Sequence, residues 1–380
     1  MDKLLYTVSM RLGLSSSNAY GRMRLCSQSV VCILVLMLFS CARNQELSFF
    51  DYPVREVEDT LVSTPLIPEF FFGPMTDPIL DFAVADSLIV FKTDGVDSSI
   101  LLYNKDTRQL LGRLLKKGRG PNEFLYLLDS FDTDGVYLDL YDLYKGSIVR
   151  IDIRQSLSAG YSVVSETISL TGAKQAPFTH FHYLDNGGVI VFDSANSLLQ
   201  QNLTGIPDFV LFNNGQRERE FHCFRNVPLI TKKNWAFSAK SILSLSECLN
   251  PQKDLLCFSL WRIPQINILN LADGEIIGFH LSGKKPFTFQ RSDYHFSSVC
   301  ADADYIYALY FGAEAEKCYA GEAQELLYVF DWDGKLISKS LLDGVYSRCR
   351  FFNGRVYLSR EDGGNTSIYF VNANLVHDKI

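Results

Sequence analysis

The sequence is short of the features that most quickly betray a chemistry. It has no G-x-S-x-G elbow, no G-x-G-x-x-G turn and no Walker A loop, which leaves serine hydrolase, dinucleotide and nucleotide sites without support. Histidine occurs six times, and none of the nine cysteines forms a C-x-x-C pair, so a zinc-ribbon or dithiol motif is missing too. Basic runs are equally scarce. The longest cluster, Arg113 to Arg119, holds four positive charges and reads as a solvated turn. Residues 1–40 hold Lys3, Arg11, Arg22 and Arg24 against Asp2 and so carry +3; the whole chain carries −7, which leaves −10 on the remainder. Nucleic acid, whose phosphates reward lysine and arginine clusters, is therefore not an expected partner.

Long apolar runs are also lacking. The longest, Val30 to Phe39, would cover about 15 Å as a helix, roughly half of a hydrocarbon core. A short apolar stretch behind Arg22 and Arg24 and ending in small residues has the form of a secretory signal. Leu38-Phe39-Ser40-Cys41 resembles the lipobox of bacterial lipoproteins, which implies cleavage before Cys41 and acylation of its thiol. Met23 would begin a compact signal by itself, so Met1 and Met23 both stand as candidate starts. Residues 1–40 are read as extension plus signal peptide, 41–70 as anchor segment with a possible ring-closing strand, and 71–380 as the folded domain. Lipid on Cys41 would tether the protein to a membrane, each buried methylene adding about 0.8 kcal/mol. Ala42 is not the aspartate that marks inner-membrane retention in enteric bacteria, which favours the outer membrane.

What the sequence does have is strand-and-turn chemistry. Aromatics make up 13% of the chain, and short runs of Ile, Val, Leu, Phe and Tyr alternate with Gly, Asn and Asp. An apolar triplet ending in Asn or Asp recurs six times, at Asn104, Asp152, Asn213, Asn270, Asp331 and Asn372, with intervals of 48, 61, 57, 61 and 41 residues. Each anchor is preceded by a second apolar run, such as "LIVFK" or "LLCFSL", and by a further strand closed by a turn. Several are followed by a hairpin with Asp-Gly at its tip, as in "NLADGEIIGFHL" and "DWDGKLISKSL". Each unit therefore predicts four antiparallel strands, and six such units predict an all-β, six-bladed β-propeller. The sixth unit runs short of chain after Asn372, so "FFDYPVREVEDTLV" from the N-terminal side is the expected donor of its last strand.

Between the first two units lies "LLKKGRGPNEFLYL". Gly118, Arg119, Gly120, Pro121, Asn122, Glu123 and Phe124 resemble the G-x-G-P-x-E-F stretch of the TolB-like six-bladed propeller lipoproteins of Bacteroidota. The resemblance covers essentially the whole chain after the signal. It implies the fold and an envelope address but no general activity. The stretch reads as a rigid connector between blades, with Arg119 and Glu123 able to pair across it or to face a ligand.

His180 and His182, in "FTHFHYL", are two apart, which in a strand puts both on one face. Some TolB-like propellers are polysaccharide lyases that hold a metal through histidines, so this pair is the candidate for a divalent metal site near the central channel, with His222, His280 or His295 as possible further ligands. The acidic stretches "DTDG", "DWDG" and "ADAD" fail the calcium-loop spacing and fall where hairpin turns are expected. Six cysteines follow Cys41, mostly inside apolar runs, with Cys248–Cys257 the local disulfide candidate. Two functions follow. One is a non-catalytic envelope propeller that binds a glycan, peptide or protein partner. The alternative is a metal-dependent polysaccharide lyase or hydrolase using His180 and His182.

Overall fold

The computed structural model describes residues 52–95, 99–120, 122–124, 127–171, 180–184, 186–192, 209–223, 245–284 and 293–377. Cys41 and the N-terminal signal lie outside them. The chain divides into Met1–Ser48 and Phe49–Ile380, and all the described strands belong to the second unit. Three short strands come first: β1 (Val54–Val57), β2 (Thr64–Leu66) and β3 (Glu69–Met75). Sheet one then comprises β4 (Ile79–Val84), β5 (Leu88–Thr93), β6 (Ile100–Asn104) and β7 (Leu110–Leu114). Sheet two comprises β8 (Leu127–Thr133), β9 (Tyr137–Asp142), β10 (Ser147–Asp152) and β11 (Val163–Ser169). Sheet three comprises β12 (His180–Tyr183), β13 (Gly188–Phe192), β14 (Phe209–Asn213) and β15 (Gln216–Phe221). Sheet four is β16 (Leu245–Leu249), β17 (Leu255–Leu260), β18 (Gln265–Asn270) and β19 (Ile276–Leu281). Sheet five is β20 (Asp293–Ala301), β21 (Tyr305–Glu314), β22 (Leu326–Asp331) and β23 (Leu336–Leu342). Sheet six holds β24 (Arg348–Phe352), β25 (Arg355–Asp362) and β26 (Asn365–Asn372).

Within each sheet consecutive strands pair antiparallel in chain order. The first strands are innermost and neighbour one another around the axis: β4 lies between β24 and β8, β8 beside β12, and β20 between β16 and β24. The six sheets are the blades of a propeller ring. Each of the six anchor residues found by periodicity ends the third strand of its blade. The reason is turn chemistry. Asn104 Oδ1 accepts the backbone N–H groups of Asp106 and Thr107, Asn270 Oδ1 that of Ala272, and Asp331 Oδ1 those of Asp333 and Lys335. Such Asx turns satisfy backbone donors where the ladder stops. At Asp152 the same geometry caps a helix, α1 (Ile153–Ala159), through the Gln155 N–H.

The core is divided among the gaps between blades. A separate hydrophobic cluster fills each one: sheets one and two around Val90, Leu102 and Leu140, two and three around Tyr141 and Phe212, three and four around Phe192, Phe209 and Phe258. Phe296 and Tyr328 pack between four and five, Leu309 and Leu358 between five and six, and Phe82 and Phe91 between six and one. A sheet sandwiched in this way is buried on both faces, so β5 and β13 are buried along their whole length. That is why the second strands read as unbroken apolar runs. Each fully buried Phe or Leu contributes about 1.5–3 kcal/mol. The outer strand β15, "QREREF", is exposed except for Phe221.

The ring closes through the N-terminal segment, in a way the sequence locates only in part. The strand that completes sheet six is β3, antiparallel to β26 with Phe70 opposite Tyr369. It is not the "FFDYPVREVEDTLV" stretch upstream. That stretch contributes β1, which pairs parallel with β19 at the outer edge of sheet four; β2 does the same with β23 of sheet five. The difference is one of burial. Phe72 and Met75 of β3 enter the core between sheets six and one, whereas Val54 and Val57 of β1 are only half buried. Residues 52–75 thus form a strap across three consecutive blades.

One buried ion cluster fastens the strap. Asp59, between β1 and β2, accepts from Lys284 Nζ at 2.6 Å, Lys339 Nζ at 2.7 Å and Tyr328 Oη at 2.7 Å. Burial pushes its carboxyl up, but the two ammonium groups and the hydroxyl outweigh this and hold it below the usual carboxylate range. Such a group stabilises the fold above its unfolded pKa of about 4 and loses that contribution as the pH falls through its folded pKa. Asp59→Ala is expected to destabilise the protein by about 2–4 kcal/mol in chemical denaturation at pH 7, because it strands two part-buried ammonium groups. The deficit relative to wild type is expected to shrink below about pH 4.

Candidate functional site

Side chains on a strand alternate between the faces of its sheet. In a propeller those faces are covered by the neighbouring blades, so a polar residue on an innermost strand is placed at a seam. His180 and His182 on β12 share a face, as expected, but that face looks toward sheet four and meets Glu247 on β16. His180 Nδ1 and His182 Nε2 each lie 3.5 Å from Glu247 Oε1. The histidine side chains are 34% and 25% exposed and that of Glu247 is 7% exposed. Ile190, Phe192, Phe209 and Leu256 wall the cluster, with the His180 ring stacked on Phe192 at a centroid distance of 6.3 Å.

The electrostatics of Glu247 follow from its neighbours. Burial pushes its carboxyl up; His180, His182 and the more distant Arg350 reverse the effect and leave it below the usual range. Its Oε2 has no hydrogen-bond partner among the described residues, and neither has His180 Nδ1 or His182 Nε2 by hydrogen-bond geometry. Among the described residues no three histidine, cysteine, aspartate or glutamate side chains are already gathered where one metal ion would bind. The other expected ligands lie elsewhere. His280 is on the outer strand β19, His295 contacts Tyr310 in sheet five at 3.3 Å, and His222 follows β15. Sequence reading alone misses Glu247, although "LSECL" holds the same place in unit four that "HFHYL" holds in unit three.

The other seams are joined differently. Between sheets six and one, Arg350 Nη2 donates to both carboxylate oxygens of Asp81 at 2.6 Å, while its Nε and Nη1 donate to the Phe82 and Cys349 carbonyls. Asp81 and Arg350 close the ring at its innermost layer, and every nitrogen of that guanidinium is engaged. Between five and six, the Ser298 hydroxyl accepts the Cys349 backbone N–H at 3.0 Å. Cys248 and Cys257 are cross-strand partners, yet these and the other four described cysteines are buried free thiols; no disulfide forms among them. Burial pushes the Cys248 and Cys300 thiols up.

The acidic stretches are turns. Asp134 Oδ1 accepts from the N–H groups of Val136 and Tyr137, and Asp302 Oδ1 from those of Asp304 and Tyr305. The GRGPNEF stretch connects β7 to β8. Phe124 is buried between sheets one and two, and its backbone is tied to Lys116 and Gly118. The Glu123 carboxylate folds back to accept the Gly120 N–H at 2.7 Å and occupies the space a side chain at Gly118 would need. Its cationic neighbour is Lys116, at 3.6 Å, rather than the expected Arg119. Pro121 lies outside the described residues.

A second buried carboxylate, Glu325, precedes β22 and is 1% exposed. Its Oε2 accepts the Tyr346 N–H at 2.6 Å, but no cation among the described residues compensates it, and burial raises its pKa well above the usual range. The carboxyl of Glu247 is thus held below the usual range and that of Glu325 above it. They belong to different seams, so they do not make an acid–base pair.

No protein-family model matches the chain, and no curated protein does. Solved structures do. A Bacteroides fragilis protein described as exported superposes over 83% of this chain and 98% of its own, with a TM-score of 0.51 at 9% identity. That likeness is one of fold. Regucalcin, a calcium-binding protein from Agrobacterium tumefaciens, overlaps 81% of this chain and 95% of its own, with a TM-score of 0.44 and 12% identity. A gluconolactonase from Xanthomonas campestris overlaps 82% and 98%, with a TM-score of 0.43 and 13% identity. No described helix is long and apolar enough to cross a membrane.

Two measurements check these local accounts. Gly118→Ala displaces the Glu123 carboxylate from the Gly120 N–H and is expected to cost about 1–2 kcal/mol of stability by urea titration. For Glu325, a folded pKa above the unfolded one means that its contribution is complete below about pH 4.5 and is lost as the pH rises through the folded value. Glu325→Gln should therefore match wild type near that pH and equal or exceed its stability at about pH 8. A variant that loses stability relative to wild type on going from the lower pH to the higher would contradict a buried neutral acid.

Proposed function

We propose that this chain is a lipoprotein of the cell envelope, of the TolB-like kind, acylated on Cys41 and held at the outer membrane, whose propeller binds a glycan, peptide or protein partner without turning it over. The observation that carries the reading is where the innermost ionisable side chains go. Asp81 is engaged with Arg350 and Glu247 with His180 and His182, each across a seam. Groups committed to blade-to-blade contacts build a rigid ring, and a rigid ring serves recognition by the loops it carries. The first described strand, β1, joins the ring at the outer edge of sheet four.

Two experiments test this reading. Metabolic labelling with a fatty acid should mark the wild-type protein and place it in the membrane pellet, whereas Cys41→Ser should lose the label and move to the soluble fraction. A thermal-shift screen of envelope and dietary glycans, run in a chelator, should find a stabilising ligand that is recovered unchanged. Release of shortened or unsaturated saccharide from any polysaccharide would replace the binding reading with the lyase or hydrolase alternative.

A further inference from the structure

The seam between sheets five and six brings two thiols together. Cys300 on β20 and Cys349 on β24 lie on neighbouring innermost strands and share one core cluster. Ser298 and Cys300 are two apart on β20, so both face the same way. Ser298 Oγ accepts the Cys349 backbone N–H at 3.0 Å and lies 3.5 Å from the Cys349 sulfur. Tyr307, the cross-strand partner of Cys300, holds its backbone carbonyl 3.8 Å from that same sulfur. The two thiols are in hydrogen-bond contact with each other. Both are buried and free in this structure.

The thiols are not equivalent. Burial pushes those of Cys248, Cys300 and Cys318 up. At Cys349 burial acts the same way, but hydrogen bonds with Cys300 and Ser298 and the charge of Arg350 outweigh it and hold this thiol below the usual range. The thiolate is the form that attacks a disulfide, and Cys300 stands beside it as the resolving thiol. A disulfide places its sulfurs about 2.0 Å apart, a short further approach for groups already in contact. We propose that Cys300 and Cys349 form a redox site, which a disulfide oxidant converts into a covalent link between sheets five and six. The Cys349 thiolate attacks one sulfur of the oxidant, which forms a mixed disulfide and expels one thiolate. Cys300 then gives up its proton and attacks the Cys349 sulfur, expelling the second. Two cysteine thiols are oxidised by two electrons and the oxidant leaves as two thiols, so the two protons lost by the cysteines balance the two it gains. Cys248 and Cys257 make the other close pair, but they face each other across one hairpin, and a bond there would join strands that the ladder already holds. The Cys300–Cys349 bond would instead join two blades. It would act on β24, whose Arg350 grips Asp81 of sheet one, so the strand that closes the ring would be fastened on both sides. The site is independent of what the propeller's loops recognise.

The test incubates the full chain in detergent with oxidised glutathione, and in parallel with a dithiol reductant. Remaining thiols are then alkylated and the disulfides mapped by peptide mass spectrometry. The oxidised sample is expected to yield two peptides joined through Cys300 and Cys349, which the reductant separates, and to melt about 5 °C above the reduced one. Cys300→Ser should leave Cys349 as a mixed disulfide with glutathione, whereas Cys349→Ser should leave Cys300 a free thiol. Mapping of the unmutated protein decides the matter even if a variant fails to fold. Recovery of Cys300 and Cys349 as alkylated thiols after oxidation, or a Cys248–Cys257 link in their place, would overturn the proposal. A thermal midpoint unmoved by the Cys300–Cys349 link would overturn its role as a lock between the blades.

Discussion

A blade of this ring cannot stand alone, because its sheet is apolar on both faces, and that constraint governs the rest. Every sheet needs a neighbour on each side, so the last must meet the first. Closure is accomplished twice. At the rim, β3 from the N-terminal side supplies the fourth strand of sheet six, and near the axis Arg350 grips Asp81 across the same seam. The first is a ladder of backbone hydrogen bonds that any strand of suitable pattern could make. The second is a buried charge pair in which one guanidinium nitrogen meets both carboxylate oxygens, and it favours a single register of the two sheets. The strap extends the same logic to the neighbouring blades, with Asp59 drawing together Lys284 of the sheet-four side and Lys339 of sheet five.

Closure also explains why polar residues on innermost strands behave unlike those on outer ones. An outer-strand residue such as Arg217 or Glu220 finds water and an exposed partner, and such pairs contribute little. An innermost residue faces another blade at close range and must be satisfied there or remain unsatisfied. Sheets five and six meet through neutral groups, Ser298 and Cys349. Sheets six and one meet through opposite charges. Sheets three and four meet through two histidines that face one carboxylate. The seams are built on one plan and differ only in the chemistry at the axis.

Much of the architecture can be read from the residues alone, and the reasons are local. Four of the anchors are legible because an Asx turn, at Asn104, Asn270 and Asp331, or a helix cap, at Asp152, needs Asn or Asp at the end of the third strand, whatever the rest of the blade contains. The buried second strands are legible because burial on both faces removes the usual alternation. The closing strand is not legible in the same way. The sequence from Phe49 to Val62 looks as strand-like as Phe70 to Phe72, and it is the packing of Phe72 and Met75 between two blades that fixes β3 as the closing strand. The site is half legible. The spacing of His180 and His182 fixes their common face, but the identity of the facing residue depends on how blade four is turned against blade three. Asp81 and Arg350, 269 residues apart, show the same limit: their pairing follows from ring closure, which no local pattern encodes.

The GRGPNEF connector shows how the residues of a motif can answer to one another and to the core beneath them. Its glycine at 118 is required by a carboxylate and not by a turn, since the Glu123 side chain lies where a Cβ would be. Its Glu123 is required by the Gly120 N–H, and its Phe124 by the gap between sheets one and two. Each of these residues answers to another residue of the motif or to the core beneath it.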